Sequence, residues 1–150
     1  MDFIPRIKLC HGRPSWVDLK DPIFITICCK KRFVNQLANR KAWAALLDAA
    51  NSLRDQNFWY PKLMVAMPDH VHLICQMPAS PGITEVIRLF KAKTALAAHI
   101  SWQRGAFDHR VRNDDAHDEK VRYVLLNPVR AKLCEVPEAW EYVFKWNQAS

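Results

Sequence analysis

Two apolar runs, FWYPKLMVAM and HVHLICQM, stand back to back and are divided only by Pro68-Asp69. A proline–aspartate pair between such runs is a turn signal, so the spacing predicts a β-hairpin with His70 just past the turn. The neighbouring segments build on that hairpin. Ahead of it, PIFITICCK reads as a first strand with Ile23, Ile25 and Ile27 on one face. KAWAALLDAANSLRDQ reads as an amphipathic helix with Trp43, Leu46, Leu47, Ala50 and Leu53 on one stripe. After the hairpin, Pro81-Gly82 opens a long helix, about 83–102, carrying Ile83, Val86, Ile87, Phe90, Thr94 and Ala97 inward. FDHRVR is a short edge strand, and Asp114 and Asp115 can cap a last helix, AHDEKVRYVLLN, which Pro128 kinks or ends. The order β-α-β-β-α-β plus a helix predicts an α+β fold of the ferredoxin-like kind. It has an antiparallel sheet with helices on one face, the other face being left for a ligand.

The 150 residues are expected to form a single domain, with a polar N-terminal arm at about 1–20 and an aromatic C-terminal tail at about 135–150. Half the chain is hydrophobic and only three residues are glycine, which argues against disorder. No apolar run approaches the roughly 20 residues that span a bilayer, and the N-terminus has no signal-peptide pattern. The five cysteines, Cys10, Cys28, Cys29, Cys75 and Cys134, include no Cys-x-x-Cys pair. They read as reduced thiols of a cytoplasmic protein. The net charge of +7 and pI near 9.3 favour an acidic partner, nucleic acid above all. Much of the excess lies in the first 41 residues, including Arg6, Lys8, Arg13, Lys30, Lys31, Arg32, Arg40 and Lys41. A merely solvated basic surface would produce the same balance.

Within MPDHVHLI, a strand puts His70 and His72 on the same side, about 6.5–7 Å apart at the backbone. Side chains at that spacing can converge on one metal ion, and two surface histidines would show the same pattern. Along KVRYVLLNPVR, Lys120, Tyr123, Asn127 and Arg130 share one helical stripe. Val121, Val124 and Leu125 occupy the adjoining apolar side and would hold the helix to the sheet. A helical tyrosine by itself is most often a packing residue, and an asparagine before proline most often ends a helix.

MPDHVHLI together with RYVLLNPVRAKL resembles the single-tyrosine HUH transposases (histidine, hydrophobic residue, histidine), most closely their REP-associated tyrosine transposase branch. The segments WQRGAFDHRVR and ITICCKKR are similar to the same branch, and the resemblance runs from about residue 20 to 145. It implies a Rep-like sheet with a C-terminal catalytic helix. By the same resemblance His70 and His72 bind a divalent metal, Asn127 is the third ligand one helical turn after the tyrosine, and Tyr123 is the nucleophile on single-stranded DNA. Two imidazoles and a carboxamide suit Mg2+ or Mn2+, and zinc is compatible on ligand type. The partner implied is single-stranded or hairpin DNA, handled by a monomer or a homodimer and with no membrane.

Lys91 and Lys93 on the long helix, Arg110 and Arg112 at the edge strand, and Lys120 and Arg130 are candidate contacts to the DNA backbone, although isolated surface cations are ordinary. Asp108-His109 is a candidate support for the metal, with packing an equal reading. Trp16, Trp59, Trp102, Trp140 and Trp146 could stack on bases, but core packing is the default. A histidine-triad nucleotide hydrolase would also carry HVH, yet it needs a third alternating histidine and position 74 is isoleucine. The stronger rival is a domesticated protein that binds structured single-stranded DNA or RNA without cutting it.

Overall fold

The computed structural model describes residues 21–146; the arm at 1–20, with Arg6, Lys8, Cys10, Arg13 and Trp16, and the last four residues lie outside it. The elements in chain order are β1 (Ile23–Cys28), α1 (Arg40–Asp55), β2 (Tyr60–Ala66), β3 (His70–Gln76), α2 (Ile83–Ala98), β4 (Phe107–Arg110), α3 (Asp114–Arg130) and β5 (Val143–Lys145). The sheet order is β4-β1-β3-β2-β5, with every neighbouring pair antiparallel. The first four strands in this order form the ferredoxin-like sheet expected from the sequence. The fifth strand comes from the region read as a packed tail, which instead extends the sheet at the β2 edge.

Alternation along β1 and β3 divides the apolar residues between two cores. Ile23, Ile25, Ile27, Val71, Leu73 and Cys75 face α1 and α2, whose Leu46, Leu53, Val86 and Phe90 fill the main core. Asn39 caps α1 by accepting from the Ala42 N–H at 2.9 Å. Trp59 is buried at the centre, with its indole N–H satisfied by the Ala50 carbonyl at 3.0 Å and its ring against Phe90. Burial pushes the Cys29 and Cys75 thiols up to about 12, so both act as small apolar side chains.

The long second helix stops short of its expected end. His99 takes a left-handed backbone at φ 57 and terminates α2 after Ala98, and Ala97 points to solvent rather than inward. Trp102 lies beyond the helix in a bridge to Cys29, and its indole N–H donates to Thr94 Oγ1 at 2.9 Å. That hydroxyl in turn donates to the Phe90 carbonyl, which explains how a threonine can be fully buried there.

The second face of the sheet is not left open. α3 lies across it, packing Val121, Val124 and Leu125 on Phe24, Leu63, Val65, Ile74 and Val111. Its N-cap is Asn113, which accepts from the Ala116 N–H; Asp114 and Asp115 sit in the first turn, where they complement the helix dipole. Pro128 does not end the helix, which runs on to Arg130. No helix of the described residues is long and apolar enough to cross a membrane.

Leu53 is fully buried between α1 and the sheet. Leu53→Ala is expected to lower unfolding stability by about 2–5 kcal/mol. Urea titration, with an unchanged denaturant slope, checks it.

Candidate active site

His70 and His72 emerge from β3 on the face that carries α3, and their rings meet edge to face with centroids 4.8 Å apart. Each ring is held through Nδ1. Across the strand pair, Thr26 stands opposite His72, and its Oγ1 is 2.9 Å from His72 Nδ1. His70 Nδ1 lies 2.8 Å from Oδ1 of Asp69. With a proton on each Nδ1, both Nε2 atoms are unprotonated, which is the form a metal ligand needs. Burial above all, with the nearby Lys120 and Arg130 charges adding to it, pushes His72 down to about 3, so its imidazole is neutral at pH 7.

Asn127 joins this pair from α3: its Nδ2 is 2.6 Å from His72 Nε2. A half-turn of the carboxamide presents Oδ1 at the same place. Among the described residues no group of three His, Cys, Asp or Glu side chains can hold a metal. The side chain that touches His72 on this face is a carboxamide, Asn127, which can offer a neutral oxygen donor. His70, His72 and Asn127 fit a divalent cation in donor type and in the fixing of their rings.

Tyr123 lies one turn before Asn127 and is 48% exposed. The Arg130 guanidinium sits 4.2 Å from its ring centroid and the Lys120 ammonium 5.2 Å, with Arg130 also donating to the Tyr123 carbonyl. Lys120 further lies 4.6 Å from the ring of Phe24, which stacks on His72 at 5.3 Å. The other two tyrosines are structural by comparison. Tyr60 is buried with its hydroxyl donating to Asn57, and Tyr142 packs edge-on against Trp43 and Trp140.

The remaining cations scatter. Lys120 and Arg130 adjoin the site, whereas Lys91 and Lys93 ride on α2, across the sheet from it. Lys91 is moreover occupied, donating to the carbonyls of Gln103 and Gly105. Arg110 pairs with Ile23 and so faces the α2 side at the sheet edge; Arg112 is exposed just beyond β4. Asp108 likewise faces away, opposite Ile25, whereas His109 stands opposite Phe24 with the rings 5.3 Å apart. Neither contacts His70 or His72, so the support to those rings comes from elsewhere.

That support is Asp69 and Thr26, which sequence reasoning passed over. Asp69 served only as a turn signal, and Thr26 becomes a partner through the β1–β3 register alone. A carboxylate immediately before the first histidine was the available clue. Asp69 is only 6% exposed, and its Oδ2 accepts from the Phe33 N–H at 2.7 Å and from Arg32 Nε at 3.0 Å. Burial alone would push its carboxyl up; the Phe33 N–H, His70 and Arg32 outweigh that and hold it at about 2. Because the folded value lies below the unfolded one, this stabilisation is complete above about pH 4 and fades as pH falls through about 2. Asp69→Asn should therefore be less stable than the parent at pH 6. The gap should close on acidification across that window, read by chemical denaturation at each pH in the presence of chelator.

No family model matches the chain. A protein of Haemophilus influenzae assigned to the REP-associated tyrosine transposases is 28% identical, the match covering 55% of this chain and 58% of that protein. The chain thus spans little more than half the length of that relative. Among solved structures, a REP-associated tyrosine transposase bound to a REP hairpin superposes with a TM-score of 0.73 at 20% identity, over 95% of this chain and 82% of the other. A protein of Deinococcus radiodurans assigned as a transposase gives a TM-score of 0.52 at 16% identity, over 75% of this chain and 93% of the other. At such identities the structural likeness establishes a shared fold. In sequence and in fold, then, this chain is similar to REP-associated tyrosine transposases.

Proposed function

We propose that the chain is a metal-dependent endonuclease and strand transferase that acts on single-stranded DNA beside a hairpin, with Tyr123 as nucleophile. The observation that carries this reading is the contact of Asn127 with His72, which joins the tyrosine helix to the histidine strand. His70, His72 and Asn127 would hold Mg2+ or Mn2+. When bound, the ion supplies a Lewis acid for the scissile phosphate and neutralises charge developing on its oxygens.

The protein's own residues divide the rest. Asp69 and Thr26 hold the two imidazoles through Nδ1, which leaves each Nε2 to serve the ion. Lys120 and Arg130 flank the Tyr123 ring and bring positive charge to where phosphate must approach. Tyr123 Oη attacks phosphorus, the bond to the 3′-oxygen breaks, and the phenol proton ends on that oxygen. The products are a 5′-phosphotyrosine and a free 3′-hydroxyl. The phosphotyrosyl ester conserves the phosphodiester energy, so a 3′-hydroxyl can reverse the step and join strands without ATP. A single tyrosine suffices for this cycle. The REP hairpin held by the structural relative supports DNA hairpins as the substrate class.

Replacing both His70 and His72 with alanine should abolish Mn2+-dependent cleavage of a hairpin with a single-stranded flank while leaving the far-ultraviolet spectrum unchanged. Undiminished cleavage in chelator or in that variant would remove the metal from the mechanism.

Tyr123→Phe deletes one exposed hydroxyl, so stability should stay within about 0.5 kcal/mol of the parent. DNA binding should persist, and the covalent protein–DNA band on a denaturing gel should vanish, whereas Tyr60→Phe keeps it. Binding without cleavage by the parent protein would favour a domesticated hairpin-binding role instead.

A further inference from the structure

Between β1 and α1 the chain passes through Lys30, Lys31, Arg32 and Phe33, all exposed. Phe33 is 95% exposed, and its backbone stands at φ 64. Bulky L side chains rarely adopt left-handed backbone, and a ring in water gains nothing from burial that would offset the strain. The loop around it is nonetheless tightly specified. The Gln36 and Leu37 N–H groups both donate to the Pro68 carbonyl, the Gln36 side chain donates to the Lys31 carbonyl, and Leu37 is fully buried. The Phe33 N–H and Arg32 Nε end on Oδ2 of Asp69, whose other oxygen contacts His70. One buried carboxylate thus contacts both a candidate metal ligand and the backbone N–H of Phe33. The Arg32 guanidinium lies 5.9 Å from the Phe33 ring. A strained, exposed aromatic that the surrounding structure holds in place points to a functional constraint.

We propose that Phe33 is a stacking platform for an unpaired nucleobase, with Lys30, Lys31 and Arg32 drawing in the phosphates on either side of that base. The proposal rests on the single-stranded DNA reading above and adds a subsite to it. Charge selects this occupant. An apolar protein partner would want a contiguous greasy patch, whereas this ring is preceded by three consecutive cations and followed only by the half-exposed Val34. A base has a π-face for the ring and a backbone charge for the cations, and such stacking is tolerant of sequence. Through Asp69 the subsite is coupled to His70, so a base seated on Phe33 would lie in the strand that the candidate metal centre serves.

The test uses the whole protein in chelator, so that nothing is cut, and a hairpin DNA whose single-stranded flank carries 2-aminopurine at successive positions. The parent should quench the fluorophore at one flank position. Phe33→Ala and Phe33→Gly should lose that quench and bind the flanked hairpin about 5- to 150-fold more weakly, while Phe33→Trp keeps both. Phe33→Gly relieves the left-handed backbone and should melt no lower than the parent, which separates lost stacking from lost folding. An abasic residue at the quenched position should weaken the parent by the same factor and leave Phe33→Ala unaffected. Unchanged affinity in Phe33→Ala and Phe33→Gly, with the Tyr123 adduct still formed in Mn2+, would overturn the stacking site and spare the proposed function. Failure of the parent to bind the hairpin would overturn both, whereas a parent that binds and quenches the flank without forming an adduct would overturn only the proposed cleavage.

Discussion

The antiparallel pairing of β1 with β3 at the centre of the sheet is the constraint from which the site follows. Its register sets Cys28 opposite His70 and Thr26 opposite His72. Because side chains alternate along a strand, a slip of one residue would turn both histidines into the main core and bring Val71 and Leu73 out. The register is secured by what that core demands: Ile25, Ile27, Val71 and Leu73 are all fully buried on the α1–α2 side. Hydrophobic burial on one face therefore fixes polar geometry on the other. The hydrogen bond from His72 to Thr26 is available only in that register.

Around the two histidines the polar groups are few and each has more than one task. Asp69 is a buried carboxylate, a costly group to place, and it is tolerated because a backbone N–H, a guanidinium and an imidazole converge on it. The result ties the turn before β3 to the loop after β1, and it fixes His70 at the same time. His72 is kept neutral by burial and by neighbouring positive charge. Lys120 and Arg130 avoid a buried pairing by resting on aromatic faces, Phe24 and Tyr123, at the rim. The site is electropositive and lacks an acidic cluster among the described residues, an arrangement suited to a phosphate ligand.

α3 carries the second half of the constellation because of one apolar stripe. Val121, Val124 and Leu125 bind it to Phe24, Leu63, Val65 and Ile74, and the turn of the helix then brings Asn127 to His72. Tyr123, one turn earlier, is left half in solvent between two cations. The second face of the sheet is thus partly a helix-packing surface, and the strand Val143–Lys145 closes the β2 edge beside it.

Much of this architecture was legible in the residues. Alternating Ile23, Ile25 and Ile27, the Pro68-Asp69 turn and the stripes of the three helices carry local periodicity, which backbone geometry translates directly into strands, a hairpin and helix faces. The same periodicity placed His70 beside His72, and Tyr123 on one stripe with Asn127. Short or irregular features were not legible. β5 is three residues long, and the end of α2 at His99 depends on a left-handed residue that no pattern announces. The partners of the histidines were hidden for a different reason. Thr26 and His72 are 46 residues apart, and Asn127 and His72 are 55 apart. Sequence by itself determined which side chains share an element and a face, because those relations are local and periodic. Only the tertiary structure decided that Thr26, Asp69, His70, His72 and Asn127 meet, because sheet register and helix docking are set by burying apolar surface across the whole chain.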